Sequence, residues 1–192
     1  MVSILKFLNQ NIYLQKKKNK FVEDKIVDVL IAPTWNSNFY KLDCHKSLKK
    51  FLDQKNISYK IRPHPMSYNK GEIKKYDLKN LGMNIDDDEF VNFSKYKFFI
   101  SDWSGLFIEY AIIFKRKSYL INTPKKIINK NYKNFNSTPI EISLRNIFCK
   151  TYEINDIGEI IKDINSIKEN NKSSDITSID LDIKKIIDKN FY

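Results

Sequence analysis

The chain has 192 residues, a length that fits a single domain with a tail. Hydrophobic residues make up 42% of it and aromatic residues 14%, which excludes a disordered or low-complexity chain. The formal net charge is +11, but lysine supplies 31 of the 34 basic residues, so we interpret most of this charge as solvated surface and expect no specific nucleic-acid partner. A basic face that attracts anionic lipid or phosphorylated ligands is the alternative.

The two cysteines, Cys44 and Cys149, fit no disulfide framework, zinc site or redox motif. We therefore expect a reducing, cytoplasmic setting. No other spacing of ligand residues implies a metal site, so we expect neither a metal nor another cofactor.

Residues 1–25 are predicted to be a basic segment outside the domain. Met1–Leu14 has neither the apolar core nor the cleavage site of a signal peptide, and no stretch reaches the ~20 apolar residues of a membrane span. A short amphipathic helix followed by lysines would rest on the inner face of the plasma membrane, whereas a frayed, solvated N-terminus explains the same pattern. At the other end, residues 171–192 are predicted to be a linker and a short helix.

Short apolar runs predict the first strands of the domain. Val27–Ile31 is rich in β-branched residues and stops at a proline, and Ile57–Ile61 alternates like a strand. The second run ends in two prolines, which exclude a helix and hold His64 in an extended loop between them. Between these strands, the spacing of apolar residues predicts a helix over Tyr40–Leu52.

The second half of the domain continues the alternation. Strands are predicted at Lys97–Ile100 and Ser118–Ile121, and Phe90–Phe93 is predicted to be a further short strand. Leu106–Phe114 is apolar on almost all sides, which predicts a buried helix, and Asp156–Ile167 has helical periodicity.

Alternating strands and helices over residues 26–170 predict an α/β domain, a Rossmann-like parallel sheet with helices on both faces. In such sheets ligands bind beyond the carboxyl ends of the strands. Three of the predicted strands end in unusual loops, which we therefore expect to open on the same edge of the sheet. These loops are Pro33-Thr34-Trp35, Arg62-Pro63-His64-Pro65 and Ser101–Gly105.

The Ser101–Gly105 segment lies between a strand and a helix, which predicts an anion site. Unpaired backbone N–H groups and the helix dipole attract negative charge at a helix N-terminus, and serine hydroxyls add donors. The simpler alternative is that Asp102 or Ser104 caps the helix. The sequence has no Walker lysine pattern and no GxGxxG, which excludes ordinary ATPase and NAD sites.

Two side chains near these loops are candidate ligands of a nucleotide. Glu109 is the only charge in its apolar helix and would accept hydrogen bonds from ribose hydroxyls, or else pair with a lysine or a backbone amide. His64 and Arg62 both suit phosphate, and His64 is the candidate general acid or base. His45, in a lysine-rich helix, is predicted to lie at the surface.

Three ordered motifs resemble the CDP-glycerol glycerophosphotransferase family, the teichoic-acid-type polymerases and primases. They are VLIAPTW at 29–35, IRPHP at 61–65, and ISDWSG at 100–105 followed by Glu109 in the next helix. The resemblance covers Val27–Pro124. It implies one lobe of a GT-B fold, the nucleotide-binding C-terminal lobe, in an enzyme whose active site lies between two Rossmann-like lobes.

The resemblance implies transfer of a glycerol-phosphate, or a similar polyol-phosphate, from a CDP-activated polyol donor to a cell-envelope or capsular polysaccharide or lipid-linked acceptor. By position, His64 is the catalytic residue and contacts the donor phosphates. Ser104 and the amide of Gly105 bind the pyrophosphate, and Glu109 holds the ribose. The implied substrate-binding residues are Thr34, Arg62, Asp102, Ser104, Gly105 and Glu109.

The sequence also departs from the family pattern. Gly105 replaces the second serine of the family's Ser-Ser pair, and Trp103 replaces a tyrosine. Because related nucleotide-sugar transferases also use a glutamate at the position of Glu109, a glycosyltransferase lobe is one alternative. A chain of this length has room for one lobe, which leaves three interpretations: a fragment, half of a split enzyme whose acceptor lobe is a separate chain, or a degenerate copy. The other alternative is a truncated, non-catalytic nucleotide-binding module.

Overall fold

The computed structural model describes residues 27–35, 38–114, 116, 118–125 and 140–169. The predicted basic segment (1–25) and the predicted linker and C-terminal helix (171–192) lie outside the described residues. In the part of the chain that is described, no helix has both the length and the apolar character needed to cross a membrane.

Five strands alternate with six α-helices in the described residues. The strands are β1 Val27–Ile31, β2 Tyr59–Ile61, β3 Tyr96–Ser101, β4 Ser118–Ile121 and β5 Cys149–Tyr152. The helices are α1 Cys44–Gln54, α2 Pro65–Asn69, α3 Lys75–Asn80, α4 Leu106–Phe114, α5 Ile140–Phe148 and α6 Ile157–Glu169. Short 3-10 turns lie at Phe93–Lys95 and Ile154–Asp156.

All strand pairs in the sheet are parallel, in the order β2-β1-β3-β4-β5. A further segment pairs with β2, since the N–H of Ile61 donates to the carbonyl of Asn84 and the N–H of Asp86 donates to the carbonyl of Ile61, both at 2.8 Å. With this segment counted as a strand, the order is that of the doubly wound Rossmann sheet. The strand order reverses between β1 and β3, where such sheets bind their ligands.

Each face of the sheet carries its own core, because successive strand side chains point to opposite faces. In β1, Val29 and Ile31 belong to one core and Leu30 to the other. Helices α1 and α6 cover the first core, and α4 and α5 cover the second. The predicted Rossmann-like α/β sheet with helices on both faces is therefore confirmed.

Two predicted local features are wrong. Phe90–Phe93 is not a strand, because Phe93 begins a 3-10 turn and its buried ring packs edge-on against Phe99 at 5.5 Å. His45 is not at the surface but 3% exposed, on the apolar side of α1 that also carries Leu48 and Leu52. Burial lowers the pKa of His45 below its ordinary value.

Helix boundaries differ from the prediction for backbone reasons. The first helix begins at Cys44 rather than at Tyr40, since Asp43 adopts a left-handed conformation with φ 52° that cannot continue a helix. The expected exclusion of helix by both prolines is also wrong, because α2 begins at Pro65. Proline is favoured at the first helical position, where its missing N–H has no helical partner to lose.

Candidate functional site

The loops that follow β1 and β3 are joined at the point where the strand order reverses. The N–H of Thr34 donates to Asp102 Oδ1 at 2.8 Å, and Ser101 Oγ donates to the carbonyl of Ala32 at 2.7 Å. Ser101 and Asp102 are both 0% exposed, and Thr34 is 9% exposed. Two of the three loops expected at one edge of the sheet are thus fixed to each other, in a place where ligands bind in this fold.

Asp102 acts inside this junction rather than on its surface. One carboxylate oxygen is bonded to Thr34, and the backbone carbonyl accepts a hydrogen bond from Arg145 Nη1 in α5. Through its side chain and its backbone carbonyl, Asp102 therefore joins the β1 loop, the β3 loop and α5. It does not cap α4, and its burial leaves it no surface with which to contact a substrate directly.

The N-terminus of α4 begins at this junction. Ser104 is half-buried, and its Oγ accepts a long hydrogen bond from the N–H of Leu106 at 3.4 Å. Gly105 is exposed, and within the described residues the backbone N–H groups of Ser104 and Gly105 have no protein acceptor. Free N–H groups at the positive end of a helix dipole attract an anion. The anion site stays a prediction, and these two amides are the groups that would form it.

Glu109 lies one turn into α4 and is half-buried. Burial alone raises the pKa of this carboxyl above its ordinary value, and no charged group or hydrogen bond within the described residues offsets that effect. A carboxyl group of this kind, beside a helix N-terminus, is typical of a functional site. Its oxygens remain available to hydroxyl groups of a ligand.

Trp103, in the β3 loop, and Arg145, which no sequence pattern singles out, form one side of the junction. The guanidinium of Arg145 lies 4.0 Å from the centre of the Trp103 ring, and Trp103 Nε1 donates to the carbonyl of Thr123 at 2.8 Å. The ammonium of Lys125, after β4, lies 6.0 Å from the same ring. Both Arg145 and Lys125 therefore place positive charge beside the loop.

His64 is the residue that precedes α2, and it is exposed. Its Nδ1 accepts a hydrogen bond from the N–H of Met66 at 3.1 Å, which caps the helix. In the neutral ring this bond assigns the hydrogen to Nε2, so Nε2 is a donor. The ring of Trp35, from the β1 loop, lies 6.3 Å from the His64 ring. The third loop therefore reaches the same edge of the sheet.

Arg62 is held by other groups. Its guanidinium donates to Asp86 Oδ2 and to the carbonyl of Glu89, both at 3.2 Å. The Asp86 side chain is 1% exposed and that of Arg62 17% exposed, so the pair is largely buried. These contacts brace the sheet beside β2, and the predicted role of Arg62 toward phosphate stays a prediction.

Several hydroxyl groups are buried behind the junction. The hydroxyls of Tyr40, Ser67 and Tyr68 have no hydrogen-bond partner in the described part of the chain. Burial, followed by the nearby charges of Tyr68, Asp102 and Glu72, raises the pKa of Tyr40 far above its ordinary value. This region therefore holds polar groups at a cost in stability, which sites of function often do.

The two cysteines, Cys44 and Cys149, are buried and form no disulfide with each other. Burial raises the pKa of Cys44 to about 11, so that this thiol stays protonated near neutral pH. Among the described residues, no group of three His, Cys, Asp or Glu side chains is arranged to hold a metal ion.

Comparison of the chain with protein-family models, with curated proteins and with solved structures finds no match. A function must therefore be argued from the geometry of the site.

Proposed function

We propose that this chain is the donor-binding lobe of a CDP-glycerol glycerophosphotransferase-like transferase. It binds a CDP-activated polyol and supports transfer of the polyol-phosphate to a cell-envelope or capsular polysaccharide acceptor. The proposal includes a second, acceptor-binding lobe beside this one. It places the protein in the cytoplasm, at the inner face of the plasma membrane, where lipid-linked acceptors are reached.

The observation that carries the proposal is the hydrogen bond between Thr34 and Asp102. It holds the β1 and β3 loops together at the reversal point of the sheet and sets the N-terminus of α4 beside them. A diphosphate is the ligand class that such a helix N-terminus favours, because its charge meets the free N–H groups and the helix dipole. The three ordered sequence motifs narrow this ligand class from any diphosphate to a CDP-activated donor.

In this proposal the pyrophosphate lies against the amides of Ser104 and Gly105, with the Ser104 hydroxyl as an additional donor. Glu109 accepts hydrogen bonds from the ribose hydroxyls. His64 donates through Nε2 to a phosphate oxygen, because Nδ1 is already used as the cap of α2. The neutral histidine thus acts as a hydrogen-bond donor to the donor phosphates and is not the base.

The reaction is a displacement at the β-phosphorus of the donor. The acceptor hydroxyl oxygen forms a new bond to that phosphorus, the bond from phosphorus to the bridging oxygen breaks, and CMP leaves with the electron pair. The hydroxyl proton passes to a base from the acceptor side. Positioning and neutralisation of phosphate charge are the contributions of this lobe, and in phosphoryl transfer these supply most of the catalysis.

The proposal is tested by thermal unfolding of the chain with CDP-glycerol, CMP, CDP, UDP and UDP-sugars. A ligand that binds only the folded state adds about 2.7 kcal/mol of stability at a hundredfold excess over Kd. We expect the cytidine nucleotides to stabilise the wild type and to lose this effect with Ser104→Ala and Glu109→Ala. Ser166→Ala, an exposed serine in α6, is the matched control and should respond as the wild type does.

The same titration separates the alternatives. A preference for uridine nucleotides would replace the proposal with a nucleotide-sugar transferase lobe. Absence of stabilisation by any nucleotide, in a chain that unfolds cooperatively, would show that the proposed function is wrong.

A further inference from the structure

Arg145 is a buried arginine in α5, and its contacts all lead to the β3 loop. The residue is 6% exposed. Nη1 donates to the backbone carbonyl of Asp102, and the guanidinium stacks on Trp103 at 4.0 Å. The two loop residues immediately precede Ser104 and Gly105, whose amides form the candidate anion site. The Arg145 side chain therefore holds Asp102 and Trp103, the two residues that lead directly into the site.

Stability alone does not account for an arginine in this place. Burial of a guanidinium costs free energy, and a well-packed apolar side chain of similar volume is often as stabilising. The Arg145 group is also incompletely paired, since Nη2 is buried and has no hydrogen-bond partner in the part of the chain that the structure describes. A fully structural arginine would be expected to use all of its donors.

Two features of Arg145 suit the binding of an anion by the neighbouring loop. Its positive charge offsets the buried carboxylate of Asp102, which would otherwise repel a diphosphate at the α4 N-terminus. Its planar fork fixes the Asp102 carbonyl and the Trp103 ring at the same time, a geometry that a lysine does not reproduce.

We propose that Arg145 is a positioning residue of the candidate site, which holds the 102–105 loop in the conformation that presents its amides to a diphosphate. The inference rests on the proposed function, because it concerns the same site. It adds a residue from α5 that none of the three sequence motifs contains. Arg145 does not touch the ligand in this role; it acts through Asp102 and Trp103.

The test compares Arg145→Met, Arg145→Lys and Arg145→Ala with a matched control, Arg116→Met. The control removes the same charge near the amino end of β3, where Arg116 lies beside the Tyr110 hydroxyl and away from the 102–105 loop. All variants carry Trp35→Phe, which leaves Trp103 as the sole tryptophan of the chain. The readouts are amide hydrogen exchange of residues 101–106, Trp103 fluorescence, and the Kd for CDP measured on folded protein.

We expect Arg145→Met to accelerate amide exchange in residues 101–106 and to change the fluorescence emission of Trp103. We also expect it to weaken CDP binding about tenfold or more, because about tenfold corresponds to the loss of one charge-assisted hydrogen bond. Arg145→Lys should lie between the wild type and Arg145→Met, and it keeps the test decisive if the methionine variant fails to fold. Millimolar guanidinium ion should partly restore CDP binding to Arg145→Ala, whereas ammonium should not. A purely structural arginine would show no such rescue.

Two results would overturn the inference. The first is unchanged exchange of residues 101–106 in folded Arg145→Met. The second is unchanged affinity for CDP in a variant whose loop exchanges faster. If the wild type itself binds no nucleotide, the proposed function is wrong, and the exchange of the loop alone then decides whether Arg145 positions it.

Discussion

The two ends of the parallel strands differ in how their buried polar groups are paired. At the amino edge of the sheet, where the strands begin, a buried charge has several hydrogen-bond partners. At the carboxyl edge, where the strands end, buried polar groups lack hydrogen-bond partners within the described residues. Asp28, in β1, is 6% exposed and accepts hydrogen bonds from the N–H and the hydroxyl of Ser58 at 3.1 and 2.9 Å. Lys168, near the end of α6, donates to the same carboxylate at 2.8 Å, and the ammonium of Lys97 lies at 3.7 Å. These contacts fasten α6 to the sheet.

The carboxyl edge is built in the opposite way. Nη2 of Arg145 and the hydroxyls of Tyr40 and Tyr68 are buried without hydrogen-bond partners within the described residues. Among the described residues, the amino edge has two such groups, the hydroxyls of Tyr96 at the start of β3 and of Ser118 at the start of β4. The difference indicates that the amino edge contributes stability, and that the carboxyl edge gives up stability to keep polar groups at the candidate site.

The largest effect is expected at the amino edge, from Asp28→Asn. The amide keeps the size of the side chain but loses the ion pair with Lys168 and one acceptor position, so we expect the free energy of unfolding to fall by about 2–3 kcal/mol. Chemical denaturation at pH 7 measures this change. Asp163→Asn is the control: its carboxylate pairs with Lys150, but its side chain is 38% exposed, and a loss below about 1 kcal/mol is expected.

The pH dependence of the Asp28 effect follows from its environment. Burial by itself would raise the pKa of Asp28, but hydrogen bonds from Lys168 and Ser58 outweigh burial and hold the pKa below its ordinary value. The stabilisation is therefore present above the unfolded-state pKa of about 3.9 and disappears as the pH falls through the lower folded-state pKa. A difference between wild type and Asp28→Asn that did not shrink as the pH was lowered below about 3.9 would contradict this assignment.

The framework of the fold could be predicted from the sequence because its central strands are buried on both faces. Val27–Ile31 and Lys97–Ile100 read as short apolar runs for that reason, and the loops after them contain the motifs. β5 escaped prediction because it is an edge strand of four residues in which Cys149 alone is buried. Its sequence, CKTY, has no apolar run.

The candidate site could be predicted only in part. Ser104, Gly105 and Glu109 were found because a strand, a serine-glycine turn and a helix follow one another directly in the sequence. Arg145 was missed because its partner Asp102 is 43 residues away in the chain, and no local pattern distinguishes a buried arginine from a solvated one. His45 did carry a signal, since it lies three residues before Leu48 on the buried side of α1.

Two buried tyrosines, one near each edge of the sheet, are expected to differ in how much their hydroxyl groups contribute to the free energy of unfolding, and this effect is smaller. Tyr110, 1% exposed, donates its hydroxyl hydrogen to the carbonyl of Lys97 at 2.7 Å, and Tyr40 is 5% exposed with an unpartnered hydroxyl within the described residues. We expect Tyr110→Phe to cost about 1 kcal/mol and Tyr40→Phe to cost nothing or to stabilise the fold slightly. Equal losses in the two variants, measured by urea denaturation, would show that both edges treat their polar groups alike.

The smallest effect on stability is expected from Gly105→Ser, at the centre of the carboxyl edge. A Cβ atom at this position would meet no other heavy atom within 4 Å, and the backbone there is not in the left-handed region that favours glycine. We therefore expect the free energy of unfolding to change by less than about 0.5 kcal/mol. The new hydroxyl adds one donor beside the exposed amide, so CDP should bind several-fold more tightly, as judged by isothermal titration calorimetry.

Gly158→Ser is the contrasting variant, because its Cβ would lie 3.3 Å from the Phe51 ring and should destabilise the fold without changing the affinity of the folded protein for CDP. Weaker CDP binding by a fully stable Gly105→Ser would mean that the ligand approaches this amide too closely to admit a side chain, and the free space beside Gly105 would then be part of the binding site itself.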